Sequence, residues 1–179
     1  MIRLRPYKSC DAEVIASWNK DEETYINWSG GRFGSFPISA EDIDLKYQNH
    51  NGGCIEPDNF YPMIAFDESG VVGHLIMRYL QGNNKILRFG WVIVDSDKRG
   101  KGIGKQLIMI SLKYAFEILK VEKVTIGVYE DNLSAYYCYK AAGFSESVAT
   151  KPEYDEINGK QRKIIELEIS ISEYSSINC

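Results

Sequence analysis

Cysteine is scarce in this sequence, and its four copies lie far apart. Short Cys spacings mark zinc sites, and dense Cys patterns mark small secreted disulfide scaffolds. Neither pattern is present, so we predict no metal site and no disulfide framework. A chain that uses cysteine in this way is expected in the reducing cytoplasm. The four residues are Cys10, Cys54, Cys138 and Cys179.

Long apolar runs and an excess of positive charge are also missing. No segment approaches the roughly 18–20 apolar residues that cross a bilayer, and Met1–Pro6 lacks the apolar stretch of a signal peptide. The net charge is −4 at pH 7 and the pI is about 5.3, which argues against general nucleic-acid binding. We therefore predict a protein without membrane or nucleic-acid partners, folded as one domain over residues 1–179.

Local patterns predict strands and helices along the chain. Residues Ile2–Pro6 alternate and end in proline, which is typical of an edge strand. Asp11 and Ser39 are suited by type and position to begin helices. Gly90 lies inside an apolar strand, where glycine commonly marks a bulge or a close backbone approach. The other predicted strands are Tyr61–Phe66, Val71–Tyr79, Ile86–Val94, Lys123–Tyr129 and Lys163–Ile171, with a turn at Gly82–Lys85.

A glycine-rich turn links the predicted strand Ile86–Val94 to a helical pattern that runs from Gly102 to about Leu119. Glycines leave backbone N–H groups unobstructed, and the start of a helix adds partial positive charge. Four cationic side chains surround this turn in a chain that is acidic overall, which indicates a bound polyanion such as a phosphate or pyrophosphate. They are Lys98, Arg99, Lys101 and Lys105.

The spacing of the glycines narrows the choice of polyanion. A dinucleotide fingerprint needs a third glycine where this chain has Lys105, and a P-loop needs Ser or Thr where it has Gln106. The pattern that fits is Arg-x-x-Gly-x-Gly, formed by Arg99, Gly102 and Gly104. In these residues the sequence resembles the acetyl-CoA loop of the GNAT superfamily of N-acetyltransferases. The alternative is a glycine-rich turn that only leads into a core helix.

A second segment, Thr125–Phe144, resembles the other GNAT signature, a strand followed by Asn, Ala, Tyr and Gly-Phe. Asn132, Ala135 and Tyr139 follow one another at helical spacing, so one face of a helix carries them. Two motifs in the right order make the match specific from about Val71 to Phe144. Within the superfamily, the chain resembles the branch of the ribosomal-protein alanine N-acetyltransferases.

The resemblance implies an α/β (α+β) fold with a mixed, mostly antiparallel, V-shaped sheet flanked by helices. The strands Ile86–Val94 and Lys123–Tyr129 would splay apart, and acetyl-CoA, the expected co-substrate, would lie in the gap. Backbone groups of the first strand would pair with its pantetheine arm, much as an added strand pairs with a sheet edge. The implied cofactor-binding residues are Val92, Ile93 and Val94 for the pantetheine, Arg99, Gly100, Lys101, Gly102, Ile103 and Gly104 for the pyrophosphate, and Asn132, Ala135 and Lys140 on the other wall.

The resemblance also implies transfer of the acetyl group to a primary amine, either a peptide N-terminus or a small molecule. Tyr139 matches the residue that donates to the departing thiolate, and a spare N–H near Ile93 or Val94 would bind the oxyanion. Transfer of the whole proton is uphill by about 2 kcal/mol at ordinary pKa values. The alternative from another class is a CoA-binding sensor or regulatory module without turnover.

No general base is evident in the sequence. Relatives that acetylate protein N-termini carry a glutamate where this chain has Gly127, and the only charge within Ile86–Val94 is Arg88. We expect the amine to lose its proton through ordered water. The nearest alternatives by sequence are Glu130, Asp131 and His74.

Two further segments are candidates for the wall of the amine pocket. Residues 19–38 are predicted to form a loop rich in aromatic residues, among them Trp28 and Phe33. Residues 151–159 are predicted to form a second loop, with acidic side chains in the segment Glu153–Glu156. An acidic, aromatic rim would attract a cationic amine. The alternatives are that the first loop forms a small core of its own and that the second is a solvated hairpin tip.

Overall fold

One sheet of eight strands organises the described part of the chain, which in this computed structural model comprises residues 1–51, 60–80, 83–148 and 152–177. The strand order is β1-β2-β3-β4-β5-β8-β6, with β7 paired to β8 beside this path. Every strand pair described is antiparallel except β4–β5, which is parallel, so the expected mixed, mostly antiparallel sheet is confirmed. The strands are β1 (Arg3–Pro6), β2 (Tyr61–Asp67), β3 (Gly70–Leu80), β4 (Asn83–Val94), β5 (Lys123–Tyr129), β6 (Ser145–Glu146), β7 (Glu153–Ile157) and β8 (Lys160–Ser170).

Helices cover both faces of the sheet. Ser39 and Asp42 exchange hydrogen bonds at the start of α3, with Ser39 N donating to Asp42 Oδ2 over 2.7 Å, so the predicted helix start is confirmed. None of the helices in the described ranges is long and apolar enough to cross a membrane. The helices are α1 (Ala12–Ser17), α2 (Glu22–Ser29), α3 (Ala40–Asn51), α4 (Ile103–Lys113), which continues as a π-helical turn (Tyr114–Ile118), α5 (Leu133–Ala141) and α6 (Ile171–Ile177).

Two of the predicted loops are wrong. Residues 19–38 contain the helix α2, which begins where Asp21 accepts a hydrogen bond from Thr24 N over 2.7 Å. Gly30, in the left-handed conformation with φ +63°, ends it. The segment 151–159 contains the strand β7, which pairs with β8. Local residues mark both elements, the caps Asp21 and Gly30 for α2 and the Asn158-Gly159 turn between β7 and β8, and the aromatic and acidic composition of the two segments outweighed these signals in the sequence prediction.

Some sequence predictions fall on residues outside the described ranges. Cys54 and Cys179 lie there, whereas Cys10 and Cys138 are free thiols. The predicted turn at Gly82–Lys85 lies partly outside as well, and its described residues already belong to β4.

The two faces of the sheet carry two separate apolar clusters, because successive side chains of a strand point to opposite faces. Ile64 and Ile76 pack with the helices α1, α2 and α3. Met63 and Met77 pack with α4, α5 and α6 on the other face. Each cluster fixes one layer of helices against the same sheet, so the loops at the sheet's open end have a rigid support.

The sheet opens where β4 and β5 stop pairing. Their pairing runs from the pair Ile86–Lys123 to the pair Phe89–Ile126 and ends there. A bulge in β4 follows directly. Gly90 and Ile93 of β4 both pair with β3, and the two β4 residues between them lie opposite a single residue of β3. Both strands continue beyond their last pair, β4 to Val94 and β5 to Tyr129, so the sheet is open between them and the expected splay is confirmed.

Candidate active site

Two cavities meet at the opening between β4 and β5. The first, which we call the loop cavity, has a volume of about 500 Å³ and is lined by the glycine-rich turn. The second, the wide cavity, has a volume of about 920 Å³ and is lined by β4, β5, β7 and β8. Because six residues line both cavities, a molecule in one can contact a molecule in the other. The shared residues are Asn27, Trp28, Val92, Asn132, Ala135 and Tyr139.

The glycine-rich turn fits the anion that the sequence predicts. Gly100 and Gly102 have φ values of +75° and +78°, in the left-handed region that favours glycine. The helix α4 then begins at Ile103 with no side-chain cap. The first N–H groups of a helix have no partner within it and carry partial positive charge. The turn therefore presents backbone donors to a group such as a pyrophosphate.

Most of the predicted cofactor-binding residues come together around the loop cavity. Lys101 and Lys140 are not among its lining residues: both are exposed, and Lys101 Nζ donates to the carbonyl oxygen of Asp97 over 3.3 Å. The roles assigned to these residues remain predictions. The predicted cofactor-binding residues that line the cavity are Val92, Ile93, Val94, Arg99, Gly100, Gly102, Ile103, Gly104, Asn132 and Ala135, and Tyr139, predicted as the catalytic residue, lines it as well.

The helix α5 positions Tyr139 at the junction of the cavities. Asn132 caps this helix, since its Oδ1 accepts from Ala135 N over 3.3 Å, as the sequence predicts. Tyr139 follows seven residues later and is only 6% exposed. Burial raises the pKa of its phenol well above the ordinary value. The hydroxyl therefore keeps its proton at neutral pH and can act as a hydrogen-bond donor.

Trp28 of α2 forms the wall between the two cavities. Its Nε1–H donates to the carbonyl oxygen of Trp91 over 2.8 Å. Trp91 lies in the bulge of β4 with φ +44°, a conformation that costs free energy for a residue with a large side chain. Phe33, also predicted for this wall, is buried and stacks on Trp28 at 4.7 Å between ring centroids, outside the set of lining residues. The helix α2 thus supports the bulge.

The floor of the wide cavity contains a buried ion pair. Arg88 on β4 donates to both oxygens of Glu166 on β8, over 2.7 and 2.5 Å. Between them on β5 lies Gly127, where an added Cβ would come within 2.7 Å of the guanidinium and 2.8 Å of the carboxylate. A side chain at Gly127, where N-terminal acetyltransferases carry a glutamate, would therefore have to displace the ion pair.

Sequence reasoning did not identify Glu166 as a residue of the site. The alternation along its strand puts Glu166 on the polar side, opposite Ile165 and Leu167, which was a usable signal. It was missed because this carboxylate reaches the opening between β4 and β5 only through the pairing of Gly127 with Glu166 in the sheet.

A second pair of opposite charges closes the rim of the wide cavity. Arg32 donates to both oxygens of Asp155 on β7, over 3.1 and 3.0 Å. The Tyr129 hydroxyl also donates to Asp155, over 2.6 Å. Burial, together with this hydrogen bond, raises the pKa of Tyr129 to about 12. The cluster joins the segment after α2 to β7, and Glu153 and Asp155 line the cavity as the predicted acidic rim requires.

The three side chains expected as alternative bases, Glu130, Asp131 and His74, lie outside the two cavities. None of them is among the residues that line either cavity. Glu130 forms an ion pair with Lys163 over 3.6 Å, and Asp131 forms one with Arg162. His74 is fully buried between α3 and β2 partners. None of these three groups therefore reaches the junction as a base, which favours the expected path through water.

Comparison with known proteins matches this arrangement. Residues 2–145 match the model of the acetyltransferase (GNAT) domain family. The spermidine N(1)-acetyltransferase of Vibrio cholerae is 31% identical over 173 residues, which are 97% of this chain and 95% of that protein. The crystal structure of the Vibrio cholerae spermidine N-acetyltransferase in complex with CoA and spermine superposes with a TM-score of 0.77 at 22% identity, over 97% of this chain and 98% of that one.

Both relatives are named for spermidine, and the resemblance to the ribosomal-protein alanine branch stays a prediction. The family match covers both the glycine-rich turn and the segment around Asn132 and Tyr139. The chain belongs to the GNAT acetyltransferase family and is an N-acetyltransferase that takes its acetyl group from acetyl-CoA.

Proposed function

We propose that this protein acetylates the primary amine of a small molecule by direct attack on the thioester of acetyl-CoA. The observation that carries the proposal is the set of six residues, Tyr139 among them, that lines both cavities. A thioester at the inner end of the loop cavity and an amine in the wide cavity would be in contact there. Spermidine, for which the Vibrio cholerae relative is named, is one candidate amine.

In the proposed reaction the amine nitrogen bonds to the acetyl carbonyl carbon and the carbonyl oxygen takes the negative charge. A backbone N–H of β4 after the bulge, at Ile93 or Val94, would stabilise this oxyanion. The C–S bond then breaks and the electron pair leaves with sulfur. The products are the N-acetylated amine and CoA with a free thiol.

Two protons move in this proposal. The attacking nitrogen loses one to water, because the carboxylate nearest to Gly127 belongs to Glu166 and is held by Arg88. The departing thiolate accepts a hydrogen bond from Tyr139, and because burial raises the pKa of this phenol, complete transfer of the proton is harder than in water. Tyr139 therefore acts chiefly as a donor that stabilises the developing thiolate, and the released thiolate takes its proton from the water that accepted the proton of the nitrogen.

The test is release of free CoA thiol from acetyl-CoA, measured with a dye across a panel of amines. The panel contains spermidine, short monoamines, amino acids and a peptide with a free N-terminus. We expect turnover with at least one small amine and an N-acetylated product by mass spectrometry. Tight CoA binding without thiol release for any amine would contradict the proposal, and turnover of the peptide alone would contradict the small-molecule part.

A further inference from the structure

Two arginines lie opposite each other on neighbouring strands in the wide cavity. Arg78 on β3 and Arg88 on β4 are partners in the antiparallel register, so their side chains leave the same face of the sheet. Both line the cavity and both are half-buried. Two neighbouring guanidinium groups have enough N–H donors to contact protein groups and a ligand together, so the pair is a candidate for binding an anionic group.

The carboxylates of this cavity are mostly occupied by cations of the protein itself. Glu166 is held at both oxygens by Arg88, and Asp155 is held by Arg32 and by the Tyr129 hydroxyl. Among the described lining residues the remaining carboxylate is Glu153, which is exposed at the rim. A polycation entering the cavity would thus find its buried carboxylates already neutralised.

The cationic side chains outnumber these carboxylates. Among the described residues that line the wide cavity, four are Lys or Arg, whereas three are Asp or Glu. A guanidinium has five N–H donors, so an arginine that contacts protein groups still has donors for a ligand. Its planar fork matches the two oxygens of a carboxylate. The four cationic residues are Arg32, Lys46, Arg78 and Arg88.

We infer, on the basis of the acetyl transfer proposed above, that the acceptor is an amine that also carries a carboxylate, and that Arg78 and Arg88 bind this carboxylate. The amine end of the molecule then lies toward Tyr139, at the junction with the loop cavity. Glu166 orients Arg88 by its two hydrogen bonds. Arg78 and Arg88 thereby determine specificity.

The experiment compares substrates that differ only in the charge of the far end. γ-Aminobutyrate is matched with its uncharged amide and with the diamine putrescine, and alanine is matched with alaninamide. We take whichever of the two carboxylates is the better substrate and compare it with its own amide. Its kcat/KM should be higher by about tenfold or more, because a hydrogen bond to a charged group contributes that much. Putrescine and spermidine are expected to be poorer than that carboxylate.

Variants of Arg78 test the assignment. In Arg78→Gln the ratio of kcat/KM between carboxylate and amide should fall by at least about threefold, because Arg88 alone then binds the carboxylate, and in Arg78→Glu the preference should reverse toward the diamine. Arg3→Gln is the matched control, because Arg3 is on β1 with its guanidinium over the Phe66 ring, outside both cavities. Calorimetric titration with CoA and a melting curve check that each variant is folded.

The outcomes separate this inference from the proposed function. If no amine releases CoA, the proposed function fails. If wild-type protein turns over polyamines or neutral amines better than either carboxylate, the acetyl transfer holds and the carboxylate assignment is overturned. The carboxylate assignment is also overturned if the ratio in Arg78→Gln equals that of wild type and of Arg3→Gln.

Discussion

At the scale of single residues, Tyr139 is the side chain on which the proposed chemistry depends most. It is buried, lines both cavities, and keeps its proton because burial raises its pKa. The sequence predicted its position from its spacing to Asn132, and the cap of α5 explains why the spacing works. A hydroxyl that stabilises only a departing thiolate acts in the transition state and not in the ground state.

Tyr139→Phe is expected to lower kcat by about 10²–10⁴ while the Kd for CoA stays within about twofold. The ring remains, so packing of α5 should be preserved. Steady-state kinetics and calorimetry measure the two quantities. The loss of rate should shrink with an acetyl thioester whose thiol is more acidic, and a wild-type kcat would show that Tyr139 only packs.

His74 is buried in the neutral form. Its Nδ1 contacts the carbonyl oxygen of Met63 over 2.9 Å, so this nitrogen carries the proton, and its Nε2 accepts from Tyr47 over 2.6 Å. Burial lowers the pKa of His74 from 6.5 to about 4. The unfolded chain therefore binds a proton at a higher pH than the folded chain does. The stabilisation is present above pH 6.5 and is lost as the pH falls toward 4.

The free energy of unfolding in urea should fall by roughly 2 kcal/mol between about pH 7 and pH 5 because of His74. In His74→Gln this part of the pH dependence should disappear. Tyr47→Phe keeps the buried imidazole and should keep the slope, even if its stability is lower at every pH. An equal slope in wild type and His74→Gln would assign the pH dependence to other groups.

At the scale of elements, the glycine-rich turn and the helix α4 form the part of the site that depends on backbone atoms. Gly102 is in the left-handed region at the N-cap of α4, whereas the Lys101 side chain is exposed. A β-branched side chain at Gly102 is strained in this conformation and displaces the donors from their direction.

Gly102→Val is expected to weaken CoA binding by at least about tenfold, and Lys101→Ala by less than about threefold. Calorimetric titration with CoA measures both. Bound CoA should also raise the melting temperature of wild type by mass action, and by less in Gly102→Val. The opposite order of the two variants would mean that side-chain charge, and not the backbone, binds the cofactor.

The helix α2 carries Trp28 into the wall between the cavities. Its indole N–H holds the carbonyl oxygen of Trp91 in the strained bulge that precedes Ile93. Loss of this hydrogen bond should let the bulge relax and misdirect the N–H groups proposed for the oxyanion.

Trp28→Phe should therefore lower kcat by about tenfold with little change in the Kd for CoA. Trp18→Phe is the matched control, since Trp18 is buried in the same apolar cluster but lines neither cavity. It should cost stability and leave kcat unchanged. Equal effects of both variants on kcat would show that α2 contributes only packing.

At the scale of the whole molecule, the ion pair of Arg88 and Glu166 joins strands that are not neighbours in the sheet. These side chains are 22% and 7% exposed and connect β4 to β8 over Gly127 of β5. Removing one partner of a buried pair leaves an uncompensated charge, whereas replacing both by apolar side chains of similar size is often tolerated.

Arg88→Met alone is expected to lower the free energy of unfolding by about 3 kcal/mol, and the double variant Arg88→Met, Glu166→Leu should recover most of this loss. Urea unfolding of the wild type, both single variants and the double variant measures the coupling. A double variant as unstable as the sum of the single ones would mean that the two residues do not interact energetically.

The sequence alone determined the parts of this protein that depend on local chemistry. The glycine-rich turn was predictable because Gly100 and Gly102 permit a backbone conformation that few other residues adopt. Local hydrogen bonds explain the cap at Asn132 and the start of α3 at Ser39. The alternation of apolar and polar residues within short segments explains the meander of β2, β3 and β4. The proposed cofactor side of the site contains the glycine-rich turn and the cap at Asn132.

Only the tertiary structure decided the wide cavity, where we propose that the acceptor binds. Tyr25, Ile26 and Trp28 have weak helix propensity, and α2 exists because packing buries them. The strand β7 exists because it pairs with β8, and Glu166 reaches the cavity because its strand pairs with Gly127. The β7–β8 hairpin has a local signal in its Asn158-Gly159 turn, where both φ values are positive. The packing of α2 and the pairing of Gly127 with Glu166 join residues far apart in the chain, so no local pattern determines them, and the charge of the wide cavity follows from the tertiary fold.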